Sequence, residues 1–233
     1  MPDPGVIVVL NGAPRSGKSS IARAIQAGEG TWLNLGVDAF CEYVTPARLL
    51  PGIGLRPGGE RLDVEAHLPA LFDALYGSVV ALSLLGLNVV VDVGHHEGHS
   101  RPMGVLGRVA GELARYPAYF VGVRCPVDVI MERRDAGEPG RGGRYVRSGP
   151  AGAVPDAVLR WERAVHDPGV YDLEVDSSVQ SPAQCAAAIR ARLDQGPPVA
   201  FSELARRLSP DRPGRPPEDN ATRGGDVPPA RPR

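Results

Sequence analysis

The feature that most constrains this sequence is a phosphate-binding loop pattern that directly follows an apolar run. Residues 6–10 are apolar and β-branched, residues 12–19 (GAPRSGKS) fit GxxxxGK[ST], and residues 19–27 have a helical composition. A strand, a glycine-containing loop and a helix in this order form an anion site, because loop N–H groups and the positive helix terminus both attract phosphate. The alternative is a glycine-rich turn that contains GKS without a phosphate role. The flanking strand and helix favour the P-loop.

The polar side chains of this loop have expected roles in binding Mg-ATP. Lys18 would bridge the β- and γ-phosphates, and the Ser19 hydroxyl would ligate Mg²⁺. ATP and Mg²⁺ are therefore the expected cofactors. The residues predicted to bind the nucleotide are Gly12, Ala13, Pro14, Arg15, Ser16, Gly17, Lys18, Ser19 and Ser20.

The rest of the chain alternates short apolar runs with segments of helical periodicity. Strands are predicted at 6–10, 31–35, 88–93, 118–123 and 171–175, and helices near 19–27, 38–48, 64–85, 105–115, 126–135, 156–166 and 183–193. Apolar strands that are separated by helices form a parallel sheet with both faces covered. The predicted fold class is α/β, with a doubly wound, five-stranded parallel sheet of the P-loop kinase type.

The segment 136–153 is rich in glycine and arginine (EPGRGGRYVRSGPAG over 138–152). We predict a mobile lid here, because a guanidinium on a closing loop can clamp phosphate oxygens while the loop excludes water. For any single arginine the alternative is an exposed side chain on a solvated loop. As a group, we expect two to reach the phosphates. The arginines concerned are Arg133, Arg134, Arg141, Arg144 and Arg147.

The composition changes again near the C-terminus. From residue 209 the chain is rich in proline, glycine and charge and almost free of apolar residues, so it cannot bury enough surface to become ordered. The predicted organisation is a kinase domain over 1–195, a short helix over 196–208 and a disordered tail over 209–233.

Charge and cysteine content narrow the class of protein. Lys plus Arg number 26 against 27 Asp plus Glu, so the overall balance calls for neither a nucleic-acid nor a membrane partner. The three cysteines form no CxxC pair, and neither a signal peptide nor a long apolar run is present. We expect a cytoplasmic enzyme whose partner is a small-molecule hydroxyl acceptor. A homo-oligomer is compatible with these features.

Two aspartates lie at the carboxyl edge of predicted strands, where open α/β sheets bind their ligands. Asp92 ends the run Val89, Val90, Val91, and this pattern indicates a Mg²⁺ role when the strand lies beside the P-loop strand. Asp38 follows the second strand, where a carboxylate could accept the proton of an attacking hydroxyl. The alternative for Asp92 is a helix cap or a turn, and the alternative for Asp38 is the N-cap of a helix that starts at Ala39.

Three histidines and a glutamate follow Asp92 in VGHHEGHS. Their spacing does not match HExxH and no cysteine joins them, so a zinc site is disfavoured. A polar loop that faces the substrate is the preferred interpretation. The residues are His95, His96, Glu97 and His99.

Five segments in the same order resemble the chloramphenicol phosphotransferase family: VIVVLNGAPRSGKSSIARAIQ, WLNLGVDAF, the strand that ends at Asp92, VGVRC and YDLEVDSS. The resemblance covers roughly residues 6–193. It implies a nucleoside-monophosphate-kinase-like fold and an antibiotic-modifying kinase. It also implies that Asp38, in the GVD triplet, is the catalytic base. Lys18, with Arg133 and the approximately aligned Arg141, completes the predicted catalytic set. In place of two adjacent acids in the family enzyme, this chain has Asp92 followed by valine and glycine.

Three functions fit these features. The first is an O-kinase that acts on an antibiotic or similar natural product. The second is a kinase of the same fold that acts on a nucleoside, nucleotide or metabolite. The third is an ATP-binding regulatory protein without transfer activity, which the joint presence of Lys18, Ser19, Asp38 and Asp92 disfavours.

Overall fold

Five parallel strands form the centre of the fold. In the computed structural model, which describes residues 2–50, 55, 61–137 and 146–208, they lie in the order β2-β3-β1-β4-β5. The predicted doubly wound, five-stranded parallel sheet is confirmed. The strands are β1 (Ile7–Asn11), β2 (Trp32–Asn34), β3 (Asn88–Val93), β4 (Ala118–Arg124) and β5 (Leu173–Asp176).

Helices cover both faces of this sheet. Short 3₁₀ turns lie at Ala47–Leu49 and Pro150–Gly152. No helix in the described part of the chain is both long and apolar enough to cross a membrane. The α-helices are α1 (Lys18–Gln26), α2 (Val37–Tyr43), α3 (Leu62–Glu65), α4 (Leu68–Leu84), α5 (Val105–Leu113), α6 (Val127–Asp135), α7 (Asp156–Val165), α8 (Pro182–Asp194) and α9 (Ala200–Leu208).

Burial on both faces explains why β1 is apolar from Ile7 to Leu10. Ile7 and Val9 pack into a cluster with α4, α5 and α9. Val8 and Leu10 point to the opposite face and pack against α1 and α8. Successive side chains of a strand alternate between faces, so a strand covered on both sides needs an unbroken apolar run.

Two predicted helices have different bounds in the structure. The helix predicted over 38–48 ends at Tyr43, since Pro46 disfavours helical backbone at the residue before it. The helix predicted over 64–85 is divided into α3 and α4, and Pro69 lies in the first turn of α4. Proline is tolerated there, because N–H groups of the first turn have no acceptor within the helix.

The C-terminal part of the described chain packs on the sheet. Phe201 and Leu204 of α9 are buried, and the Phe201 ring lies 4.9 Å from that of Phe120 in β4. The predicted tail over 209–233 and the lid residues 138–145 lie outside the described residues.

Candidate active site

The predicted P-loop connects β1 to α1. The α1 helix begins at Lys18, and the preceding Gly17 has φ 91°. This left-handed conformation carries no steric penalty for glycine, which explains that position of the motif. Arg15 is also left-handed, with φ 74°, and the Ser16 N–H donates to Ala13 O at 3.0 Å. The turn leads directly into α1, so the N-terminus of this helix lies at the loop, as an anion site requires.

Lys18 is the cation at the centre of the loop. Its Nζ donates to Gly12 O and Ala13 O, both at 2.8 Å. Desolvation lowers the Lys18 pKa to about 8, and the nearby charges of Asp92 and Asp38 oppose that shift. The two carboxylates therefore help to keep the ammonium protonated near pH 7.

Ser19 and Asp92 form an oxygen pair beside this lysine. Strand β3 pairs with β1 so that Asp92 is opposite Leu10, and the Ser19 hydroxyl donates to Asp92 Oδ2 at 2.6 Å. A Cβ on Gly36 would come within 1.6 Å of Asp92 Oδ1, so only glycine allows this carboxylate its position. A hydroxyl and a carboxylate side by side are hard oxygen donors that suit Mg²⁺.

Asp38 lies in the first turn of α2 and is not its N-cap. The helix begins at Val37, and the N-cap residue is Gly36. The capping alternative for Asp38 is therefore wrong. Its negative charge still favours the helix N-terminus, and the same charge acts on Lys18.

A cleft of about 1140 Å³ joins these groups at the carboxyl edge of the sheet. The residues that follow β2 and β3, including Val37, Cys41 and Gly94, line one side of the cleft, which we call the β2–β3 side. Ala13 and Ser16 are buried within the loop. The predicted site residues that line the cleft are Gly12, Pro14, Arg15, Gly17, Lys18, Ser19, Ser20, Asp38, Asp92 and Arg133.

Arg133 is anchored against the P-loop. Its Nη1 donates to Arg15 O at 3.3 Å and to Ser177 Oγ at 3.2 Å, and its Nη2 donates to Ser177 O at 2.7 Å. The solvated-loop alternative is therefore wrong for this arginine. Arg134 is buried and donates to Val146 O at 3.4 Å. Of the other predicted arginines, Arg147 is exposed, whereas Arg141 and Arg144 lie outside the described residues.

Polar contacts tie the two ends of the predicted lid to neighbouring elements. The Arg15 guanidinium donates to Arg133 O at 2.5 Å and to Gly137 O at 3.2 Å. Ser148 donates to the Asp135 carboxylate from its N–H at 2.9 Å and from its hydroxyl at 2.5 Å. These bonds hold the Asp135 pKa below its usual range. Residues 137 and 148, on either side of the undescribed residues, are thus fixed beside the P-loop and α6.

Two residues that the sequence did not single out also shape the site. Asn11, buried at the end of β1, donates to Val165 O at 2.7 Å and accepts from the His95 N–H at 2.7 Å. Ser177, after β5, donates to Ser16 O at 2.6 Å. A polar residue at the end of an apolar strand could have pointed to Asn11. No local pattern distinguishes Ser177.

The histidine-rich loop does not face the substrate as predicted. His95 is buried with its Nε2 2.6 Å from the Tyr76 hydroxyl, and burial lowers its pKa to about 3. Glu97 accepts N–H bonds at the start of α5, from Met103 and Gly104 at 3.1 and 3.0 Å. The loop is wedged between α4 and α7, because its imidazoles pack on aromatic rings of the core.

The described residues contain no cluster of three or more histidine, cysteine or acidic side chains able to hold a metal ion. His99 Nδ1 lies 4.0 Å from Glu65 Oε1, and both side chains are almost fully buried. The Glu65 carboxylate accepts from the Ser100 N–H at 3.2 Å and from its hydroxyl. The buried carboxylate is thus stabilised by hydrogen bonds.

Comparisons with known proteins agree with this geometry. A family model described as chloramphenicol phosphotransferase-like protein matches residues 5–194. A comparison with curated proteins found no significant match.

Among solved structures, the similarity is to kinases that share the fold. APS kinase of Mycobacterium tuberculosis, in complex with AMPPNP and APS, is 18% identical, with 83% of this chain and 99% of that chain covered and a TM-score of 0.51. A sugar kinase from Janibacter sp. is 19% identical, with 88% and 98% covered and a TM-score of 0.52. The tunicamycin resistance protein of Deinococcus radiodurans is 16% identical, with 83% and 98% covered and a TM-score of 0.50.

Proposed function

This chain belongs to the chloramphenicol phosphotransferase-like family, and on that premise we propose that it transfers the γ-phosphoryl group of ATP to a hydroxyl of a small molecule. The observation that carries the proposal is the convergence of four side chains on one cleft. They supply a cation, a metal-binding oxygen pair and a base, which are the parts that phosphoryl transfer requires. The four are Lys18, Ser19, Asp38 and Asp92.

In this proposal the P-loop holds the triphosphate. The loop N–H groups and the N-terminus of α1 bind phosphate oxygens, and the Lys18 ammonium leaves its contacts with Gly12 O and Ala13 O to pair with them. Ser19 and Asp92 would hold Mg²⁺, which when bound neutralises charge on the transferred group.

Asp38 acts as the general base. Its carboxylate accepts the proton of the acceptor hydroxyl, and the freed oxygen forms a bond to the γ-phosphorus. The bond between that phosphorus and the β–γ bridging oxygen breaks, and ADP leaves with the electron pair. Arg133 is fixed beside the loop and contributes positive charge. Arg141 remains the second predicted clamp.

We propose an antibiotic or a related natural product as the acceptor. On the β2–β3 side the described lining residues include the carboxylates of Asp38 and Glu42 and one cation, Arg61. Arg61 already pairs with Asp63 at 2.7 Å. This charge pattern favours a neutral or cationic acceptor over one that carries a phosphate. A nucleoside or an uncharged metabolite is the alternative that the same cleft would accommodate.

A direct screen tests this function. The protein is incubated with Mg-ATP and a panel of hydroxylated antibiotics, nucleosides, nucleotides and sugars, and each product is examined by mass spectrometry for the gain of one phosphoryl group. We expect a gain on an uncharged or cationic alcohol. Selective phosphorylation of a nucleotide would contradict the proposed acceptor class. Nucleotide binding without transfer to any member would identify an ATP-binding protein instead.

A further inference from the structure

Trp161 forms part of the wall of the cleft that Asp38 and Asp92 also line. It lies on α7, is only 7% exposed and lines the cleft. A Cβ on Gly94 would lie 3.3 Å from the indole nitrogen and 3.2 Å from Gly12 O. Both distances are tighter than ordinary contact. Glycine at this position, two residues after Asp92, therefore lets the indole pack close to the P-loop.

His96 lies directly behind this wall. Its ring is buried, and its centroid is 5.4 Å from that of Trp161 in an edge-on arrangement. Its Nε2 is 2.8 Å from Leu55 O. A carbonyl oxygen only accepts, so Nε2 carries the proton and donates. Leu55 is 4% exposed and also lines the cleft. One imidazole thus contacts two separate parts of the wall.

The other nitrogen of His96 and the indole nitrogen of Trp161 are buried polar atoms of two rings in contact. His96 Nδ1 and Trp161 Nε1 are both buried and have no hydrogen-bond partner in the described part of the chain. With the proton on Nε2, Nδ1 can only accept, whereas the indole N–H can only donate. Burial lowers the His96 pKa to about 4, so this neutral form persists at pH 7.

Other buried groups surround the imidazole. The ring centroid of His99 lies 4.3 Å from that of His96, and His99 Nδ1 lies 4.0 Å from Glu65 Oε1. The proposed transfer reaction does not use the side chains of His96, His99 or Glu65. Their burial, together with the bond to Leu55, indicates a fixed support for the wall.

We propose that His96 is a positioning residue for the acceptor: it holds Leu55 and Trp161 in place as the wall on which the acceptor packs, and so sets which acceptors fit. This inference rests on the proposed function. Among the described residues, no hydrogen bond or ring contact joins His96 to the P-loop. Its loss therefore weakens acceptor binding and leaves nucleotide binding unchanged.

Three variants test the proposal by steady-state kinetics. His96→Leu removes both nitrogens, whereas His96→Gln places an amide nitrogen near the position of Nε2 and can still donate to Leu55 O. His67→Leu is the matched control, because His67 is exposed at the start of α4 and does not line the cleft. We expect His96→Leu to raise the acceptor KM about 10-fold, the effect of about 1.4 kcal/mol.

The expected pattern has three further parts. His96→Gln restores most of the acceptor affinity, His67→Leu leaves it at the parental value, and the KM for ATP stays constant throughout. A parental acceptor KM in His96→Leu would overturn the proposal. An equal rise in both KM values would also overturn it, because a general disturbance of the cleft acts on both substrates. Should His96→Leu fail to fold, His96→Asn replaces it, since its shorter amide cannot reach Leu55 O.

A second measurement does not depend on any acceptor. The chain has two tryptophans, so Trp32→Phe leaves Trp161 as the sole fluorophore. In that background we expect His96→Leu to change the Trp161 emission and His96→Gln to restore it. If the parental protein phosphorylates no acceptor, the proposed function fails and this measurement alone decides the role of His96. Identical emission in all three proteins would then overturn it.

Discussion

Replacing Asp38 by asparagine separates a catalytic carboxylate from a structural one. The amide keeps nearly the same shape in the first turn of α2 but cannot accept a proton. Because Gly36 is the N-cap of α2, Asp38 does not occupy the capping position. The Asp38 charge also acts on Lys18, but the stronger attraction comes from Asp92, which remains. Asp38→Asn therefore tests the base with little change to the phosphate site.

The expected magnitudes differ enough to be distinguished. General-base catalysis contributes about 10²–10⁴-fold, or about 3–5 kcal/mol in the barrier. Loss of a negative charge from the first turn of a helix costs about 0.3–1 kcal/mol of stability. Asp38→Asn should therefore lower kcat at least about 100-fold while the free energy of unfolding falls by about 1 kcal/mol or less.

The assay follows phosphorylated acceptor by mass spectrometry and measures ATP affinity by calorimetry and stability by urea unfolding. Glu42→Gln is the matched control, because it makes the same carboxylate-to-amide change one turn later on α2, in another residue that lines the cleft. We expect it to alter kcat only a few-fold. Near-parental transfer by Asp38→Asn, or a loss of activity that parallels a loss of folding stability, would refute the role of Asp38.

Three further predictions concern the phosphate site. Lys18→Ala should abolish ATP binding in calorimetry without lowering the melting temperature, because the ammonium is desolvated in the fold. Lys18 binds phosphate in its ammonium form, and its pKa is about 8. The affinity for ATP should therefore be constant below pH 8 and fall above it, and a Kd that stays constant to high pH would contradict this. Gly36→Ala should destabilise the protein by about 1–3 kcal/mol and weaken Mg²⁺ binding, because its Cβ displaces Asp92; Gly77→Ala, with nothing within 4 Å of its Cβ, is the control in thermal unfolding.

Much of the fold could be predicted from local patterns. An apolar run of five residues before a glycine-containing loop is short-range information, and so is the helical spacing between successive strands. The five-stranded parallel sheet followed from these patterns, whereas the adjacency of the Asp92 strand to the P-loop strand was a condition that the structure supplied. The bounds of α2 and α4 were less accurate, because prolines within a periodic segment move helix ends by several residues.

The site was predictable only where a motif encodes it. Lys18 and Ser19 were identified from the P-loop motif, and Asp38 and Asp92 from their positions at the carboxyl edge of predicted strands. The structure brings all four to one cleft. The histidine loop was misjudged, because polar side chains after a strand suggest exposure when their partners are distant in sequence. Tyr76 and Leu55, which receive His95 and His96, are 19 and 41 residues away.

The sequence by itself therefore determined the strand–loop–helix order and the residues proposed to bind phosphate, because both depend on neighbours within a few positions. Tertiary structure decided the rest. The need for glycine at 36 follows from the Asp92 carboxylate packed against it, and the place of Ser177 follows from the adjacency of β4 and β5. Such contacts join segments that only a close-packed core brings together, so no local pattern contains them.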